Sequence, residues 1–159
     1  MTDMLVKLYE LPPLEPVLAG QSAQGIHIRR AIAPEKHHVL AWVRQHFSEF
    51  WVSECDAAFG NRPPSIWLAV AQERLLGFGC YDVTAKGFFG PTGVGEAARG
   101  RGVGAALLLV CLHDMRAQGY GYGIIGGVGP IDFYAKIAGA TVIPESTPSV
   151  YAGMLRTSE

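Results

Sequence analysis

The sequence predicts an α/β (α+β) protein, a mixed sheet with helices on both faces, and three observations carry that reading. Extended and helical patterns follow one another in the order β-α-α-β-β-β-α-β-α-β-β, which layers helices over a sheet. Residues 65–72 and 75–84, joined by a tight Glu73-Arg74 turn, read as an antiparallel hairpin. Residues 103–118 read as a helix that is apolar on almost every side, and such a helix is buried.

Each element has its own signal. Residues 5–11 read as a short extended segment and 14–24 as a short helix, with Pro12, Pro13 and Pro16 interrupting the region. These first 25 residues precede the repeating order, as an extension suited to packing against a partner subunit in a homodimer. Ile26, Ile28 and Ala31 alternate with His27 and Arg29 as a half-buried strand does. Pro34 suits the first turn of a helix reaching Phe47, with Val39, Leu40, Trp42, Val43 and Phe47 on its apolar side. A second helix over 48–59 ends at Gly60-Asn61-Arg62-Pro63-Pro64. Residues 88–94 form the next strand, and Pro91 in its middle removes a ladder donor and predicts a bulge or a break in pairing. Residues 120–128 are a strand, 130–138 a helix, and 141–143 with 149–156 a final strand pair.

Composition bounds the rest. A chain of 159 residues, 49% hydrophobic and 17% charged, suits a single globular domain over residues 1–159. A net charge of −1 gives no polyanion-binding surface, so nucleic acid is not expected as a partner. Cys55, Cys80 and Cys111 are odd in number and set among apolar residues, which fits reduced thiols in the cytoplasm. No secretory pattern opens the sequence and no apolar run is long enough for a bilayer, so no membrane partner is expected. His27, His37, His38 and His46 lack the clustered spacing of metal ligands, and no metal is expected.

The stretch Arg99-Gly100-Arg101-Gly102-Val103-Gly104 lies between an extended segment and the buried helix. Its glycines allow backbone N–H groups to turn toward one anion, at a helix start whose dipole favours negative charge. A dinucleotide fingerprint also fits Gly100 to Ala105, but that fold places an acid about 20 residues on. The corresponding window, Tyr120-Gly121-Tyr122-Gly123-Ile124-Ile125, has no carboxylate.

The spacing Arg-x-x-Gly-x-Gly resembles the acyl-CoA pyrophosphate loop of the GNAT-type N-acetyltransferase superfamily. Further on, Phe133-Tyr134-Ala135-Lys136-Ile137-Ala138-Gly139-Ala140 resembles that superfamily's Phe-Tyr-x-Lys-x-Gly-Phe segment, departing from it near the end. The resemblance covers residues 88–140. It implies a mostly antiparallel sheet whose two central strands splay apart, and an enzyme that transfers the acetyl group of acetyl-CoA to a primary amine by direct attack. Arg99, Gly100, Arg101, Gly102, Val103, Gly104 and Ala105 would hold the pyrophosphate, and Phe133 belongs to the same cofactor-binding set. Thr92, Gly93 and Val94 would hold the pantetheine arm and polarise the carbonyl, and the Tyr134 phenol would protonate the departing thiolate. A non-catalytic acyl-CoA-binding module is the alternative, although a mere binder has no need of Tyr134.

The general base stays open. Superfamily members that carry a base on the splayed strand use a glutamate, and residues 88–94 have no carboxylate. Glu54, Asp56, Asp82 or a water relay are the candidates. Glu96 reads as a solvent-facing loop acid, and His113 and Asp114 as groups near a helix C-terminus. Gly126-Gly127-Val128-Gly129 stands where the superfamily has an asparagine. Trp42 and Phe47 read as core, whereas Phe50 and Trp51 lie at helical spacing from Glu54 and would border a small-molecule or peptide amine acceptor.

Overall fold

The computed structural model describes residues 1–156. Seven strands form one sheet: β1 (Met4–Lys7), β2 (His27–Arg30), β3 (Ile66–Ala71), β4 (Arg74–Tyr81), β5 (Phe88–Val94), β6 (Tyr122–Ile125) and β7 (Thr141–Val142), in the spatial order β2-β3-β4-β5-β6-β1-β7. Among the described residues five helices accompany them: α1 (Glu15–Ser22), α2 (Lys36–His46), α3 (Glu49–Gly60), α4 (Val103–Ala117) and α5 (Ile131–Ala138). Every strand pair is antiparallel except β5 with β6.

Strand alternation decides what each face buries. Phe78 and Cys80 of β4 pack with Val39, Val43, Val52 and Cys55 of α2 and α3. Tyr81, Phe89 and Ile125 pack on the opposite face with Leu108 and Leu112 of α4 and Tyr134 of α5. Helix α4 needs no polar side there, because nine of its residues from Val103 to Met115 are buried. Each Leu or Val so buried contributes roughly 1.5–3 kcal/mol. Ser48 caps α3, its hydroxyl accepting from Trp51 N–H at 3.4 Å.

A polar network pins α4 to the other end of the sheet. Asp114 Oδ2 takes the Arg30 guanidinium at 2.9 Å, Trp67 Nε1 at 3.2 Å and the Tyr81 hydroxyl at 2.6 Å. Gln118 Nε2 donates to the same tyrosine hydroxyl at 2.7 Å, and Arg30 lies 4.8 Å over the Trp67 ring. His113 Nε2 is 2.8 Å from Pro12 O and ties the N-terminal segment to α4. The three cysteines are buried and unbridged, with Cys55 and Cys80 sulfurs 3.9 Å apart.

Several expectations need correction. The hairpin loop is Gln72-Glu73, one residue earlier than expected, with φ of 51° and 61°; two left-handed residues give the turn whose twist matches the strands. Residues 149–156 form no strand: Ser149–Tyr151 is a single 3-10 turn, and β7 pairs with β1 instead. Residues 5–11 split into β1 and a 3-10 turn over Leu8–Glu10, and β1 lies inside the sheet. Met4 pairs with Ile125 on one side and Val142 on the other, and Met4, Val6 and Leu8 are buried to within 1%. Hydrophobic burial therefore places the N-terminal segment where the last strand of the predicted pair would sit. Strand β6 stops at Ile125 rather than 128 because the chain turns at Gly127, whose N–H donates to Asp3 Oδ1 at 2.8 Å.

Candidate active site

The site is built around a fork between two parallel strands. Pairing of β5 with β6 is limited to Phe88 with Ile124 and Phe89 with Ile125. Beyond these pairs residues 91–94 have no partner on the β6 side among the described residues, so their edge groups face a gap. On the other side Thr92, Gly93 and Val94 remain paired with Gly79, Phe78 and Gly77 of β4. The register between β4 and β5 slips by one residue across Gly90-Pro91, the bulge that Pro91 predicts. The Thr92 hydroxyl donates to Phe78 O at 3.0 Å and is thereby committed to β4.

One arm of the fork leads to the glycine–arginine loop. Gly102 has φ 80° and ψ 7°, a left-handed conformation that turns the chain into α4. No side chain caps that helix and no acid occupies its first turn. The first helical N–H with a backbone acceptor is that of Ala106, bonded to Gly102 O at 3.1 Å. The N–H groups of Gly100 to Ala105 have no acceptor among the described residues, and they join the positive end of the helix dipole. Such a cradle suits a phosphate. Phe133 lies over it, its ring carbon Cζ 3.9 Å from the position of a Cβ on Gly104. Both arginines are exposed: Arg99 Nε donates to Val94 O at 3.4 Å, and Arg101 Nε to Gln24 Oε1 at 3.3 Å.

Helix α1 and the turn that follows it hold this loop, a role that the sequence does not signal. Arg101 O accepts from Gln21 Nε2 at 2.9 Å and from Gln24 Nε2 at 3.0 Å. Gln21 is 4% exposed, and its Oε1 has no partner.

Tyr134 sits on the α4 and α5 face of the fork, in the cluster that holds Phe89, Ile125 and Val128. Its ring meets Phe133 edge-on at 5.1 Å, and its hydroxyl bonds to none of the described residues. Burial pushes the phenol up, which keeps it protonated at neutral pH and able to donate.

The carboxylates separate by environment. Asp56 is exposed and bridges to Lys36 at 2.6 Å. Asp82 is used by its own loop, accepting from Gly87 N–H at 2.7 Å and from the Tyr120 hydroxyl at 2.8 Å. Glu96 is exposed in the 3-10 turn Glu96–Ala98. Glu54 differs. It is half-buried on α3, accepts a hydrogen bond from the Thr84 hydroxyl, and burial pushes its carboxyl up. Tyr151 reaches the same region, with its hydroxyl 3.0 Å from where a Cβ on Gly126 would sit and Phe88 Cδ2 2.9 Å from that point. Only glycine at 126 admits both rings.

Trp42 and Phe47 are half-buried and pack against the core, and Phe47 closes over Gly93. Trp51, half-buried, packs beside them at 4.8 Å from Phe47 and 6.1 Å from Phe78; Phe50 stays half-exposed. Two open cavities, of about 500 and 580 Å³, flank α2 and contain neither Glu54 nor Tyr134. Among the described residues no group of His, Cys, Asp or Glu gathers as a metal site, and no helix is long and apolar enough to cross a membrane.

Comparison with known proteins agrees with this geometry. The profile of the acetyltransferase (GNAT) family matches residues 31–140. No curated protein matches the sequence. A GCN5-related glucosamine N-acetyltransferase region of a fungal multi-domain GH3 beta-N-acetylglucosaminidase superposes with a TM-score of 0.73 at 14% identity, over 89% of this chain and 19% of that one. A GCN5-related N-acetyltransferase from Sphaerobacter thermophilus gives a TM-score of 0.66 at 23% identity, over 89% of this chain and 48% of that one. A Drosophila protein gives 0.62 at 14% identity, over 89% and 47%. The chain thus spans between about a fifth and a half of the length of these structures.

Proposed function

The chain belongs to the acetyltransferase (GNAT) family, and from that premise we propose that it moves the acetyl group of acetyl-CoA to a primary amine by direct attack. The observation that carries the donor is the uncapped start of α4, where the N–H groups of Gly100 to Ala105 have no acceptor among the described residues. They hold the pyrophosphate, with Phe133 beside them. The unpaired edge of residues 91–94 receives the pantetheine arm, as a short extended ligand adds to a strand edge. The thioester then lies in the fork, beside the Tyr134 phenol.

Catalysis on this arrangement is chiefly positioning, since the fork orients carbonyl and amine before reaction. The amine nitrogen forms the new C–N bond as the C–S bond breaks. Tyr134 gives its proton to the departing thiolate, and a proton from the attacking nitrogen restores the phenol. No cysteine takes part. Cys80 and Cys111 are buried, and burial pushes both thiols up, away from the nucleophilic thiolate.

A thiol-release screen tests the reading: purified protein, acetyl-CoA, and a panel of alkyl amines, diamines, amino sugars and peptide N-termini. Release of CoA with formation of an N-acetyl product is expected. Acetyl-CoA binding with no release across the panel would make the protein a binding module instead.

A further inference from the structure

We propose that Glu54 receives the acceptor as its ammonium ion and takes the first of its protons, with Phe88 and Tyr151 walling the same position. This rests on the acetyltransferase reading and adds to it the charge of the acceptor and the residue that activates it.

Placement is the first argument. Phe88 and Gly126 flank the last paired residues of the fork, and Tyr151 stands 3.0 Å from the same Gly126 position. Ile125 and Phe89 face α4, so their neighbours Gly126 and Phe88 face the opposite side, where α3 carries Glu54. The Thr84 hydroxyl links Glu54 to the loop that leads into β5. The phenol assigned to the leaving group lies on one face of the fork and the carboxylate on the other. An amine entering from the α3 face meets Glu54 before it meets the thioester.

Charge is the second. Glu54 makes no ion pair among the described residues, whereas Glu35, Glu49 and Asp114 each pair with an arginine and Asp56 with a lysine. The Thr84 hydroxyl donates to it, and the Tyr151 phenol and Cys80 thiol, pushed up first by burial, lie near enough for its charge to raise both further, as Asp3 also raises Tyr151. None is a cation. A half-buried carboxylate without a counter-ion is costly, and an ammonium ion supplies the missing charge. The aromatic rings of Phe88 and Tyr151 suit a cation as well.

The step balances. The Glu54 carboxylate takes one proton from the ammonium and leaves a neutral amine with a free electron pair. That pair forms the C–N bond, the C–S pair leaves with sulfur, and Glu54 returns its proton to water. The sequence brings Glu54 forward only as one of several acids, and Tyr151 lies in a segment that it assigns to a strand.

The test uses the full chain, acetyl-CoA, and n-butylamine and 1,4-diaminobutane as probes. Glu54→Gln keeps an oxygen for Thr84 to donate to, so a purely structural role survives it, while proton transfer does not. Expected is a loss in kcat/KM on the order of 10²-fold or more. The acidic limb of the pH profile should vanish in Glu54→Gln and persist in Glu54→Asp, with acetyl-CoA affinity unchanged in both. Without acetyl-CoA, the probes should raise the melting temperature of the wild type and not of Glu54→Gln. Wild-type kcat/KM and an intact acidic limb in Glu54→Gln would overturn the assignment, as would a probe-induced shift that persists in it. A Glu54-dependent shift in a wild type that releases no thiol would uphold the amine site and overturn the transferase reading.

Discussion

Gly102 is the hinge between the fork and α4, and Gly102→Ala probes both its backbone and its neighbour. At φ 80° a side chain costs about 1–2 kcal/mol relative to glycine. The new Cβ would also stand 3.1 Å from Gln21 Nε2, closer than ordinary contact. That amide is buried and donates to Arg101 O at 2.9 Å, so displacing it forfeits a hydrogen bond worth about 0.5–1.5 kcal/mol. Urea denaturation should therefore show Gly102→Ala destabilised by about 1.5–3.5 kcal/mol, the sum of the two contributions. Gln21→Ala separates them. It removes the clashing amide together with the unpartnered Oε1, while Arg101 O keeps its bond from Gln24. In that background Gly102→Ala should cost only the backbone part, leaving a coupling of about 1 kcal/mol in the double-mutant cycle. Equal costs in both backgrounds would refute the contact between α1 and the loop. No cost in either would refute the left-handed conformation itself.

Four further outcomes are expected. Tyr134→Phe should keep acetyl-CoA affinity and lower kcat on the order of 10²–10⁴-fold, measured by steady-state thiol release, with a smaller loss for a donor whose thiol is more acidic. Glu54→Gln should be more stable than the wild type at neutral pH: burial raises the folded carboxyl above its unfolded value, so the wild type loses stability as pH rises through the folded pKa, and the gap should close in acid denaturation series. Asp114→Ala leaves Arg30, Trp67 and Tyr81 without their shared acceptor and should cost about 3 kcal/mol or more by urea denaturation. Native-state alkylation of Cys55, Cys80 and Cys111 should be slow, because each is fully buried; a stable acetyl-cysteine seen by mass spectrometry would contradict direct attack.

What the sequence shows of this fold is what short-range chemistry determines. The bulge at Pro91 and the buried helix α4 follow from a missing donor and an all-apolar surface. The glycine loop is legible from its own residues, and Tyr134 only through the resemblance of residues 133–140 to the superfamily's segment. The order of strands at the far edge is not, because β1 and a C-terminal strand satisfy the same hydrophobic gap, and only burial of Met4, Val6 and Leu8 decides between them. Tyr151 is invisible for the same reason: once residues 149–156 are no longer a strand, Asp3 is free to bind Gly127 N–H and the Ser149 hydroxyl. These contacts join chain segments more than 120 residues apart, a separation at which residue spacing carries no signal. Among the acids, Glu54 is distinguished only by its surroundings, which no local pattern reports.

The claim that the start of α4 binds the donor's pyrophosphate is tested most directly by calorimetric titration of acetyl-CoA into the wild type and into folded Gly102→Glu. The variant adds bulk and negative charge where the N–H groups of Gly100 to Ala105 converge. Charge-assisted hydrogen bonds of this kind contribute about 1.5–3 kcal/mol each, so loss of two weakens binding by two or more orders of magnitude. Saturable wild-type binding that Gly102→Glu largely abolishes is the predicted result; equal affinity in both proteins would contradict the assignment of this loop.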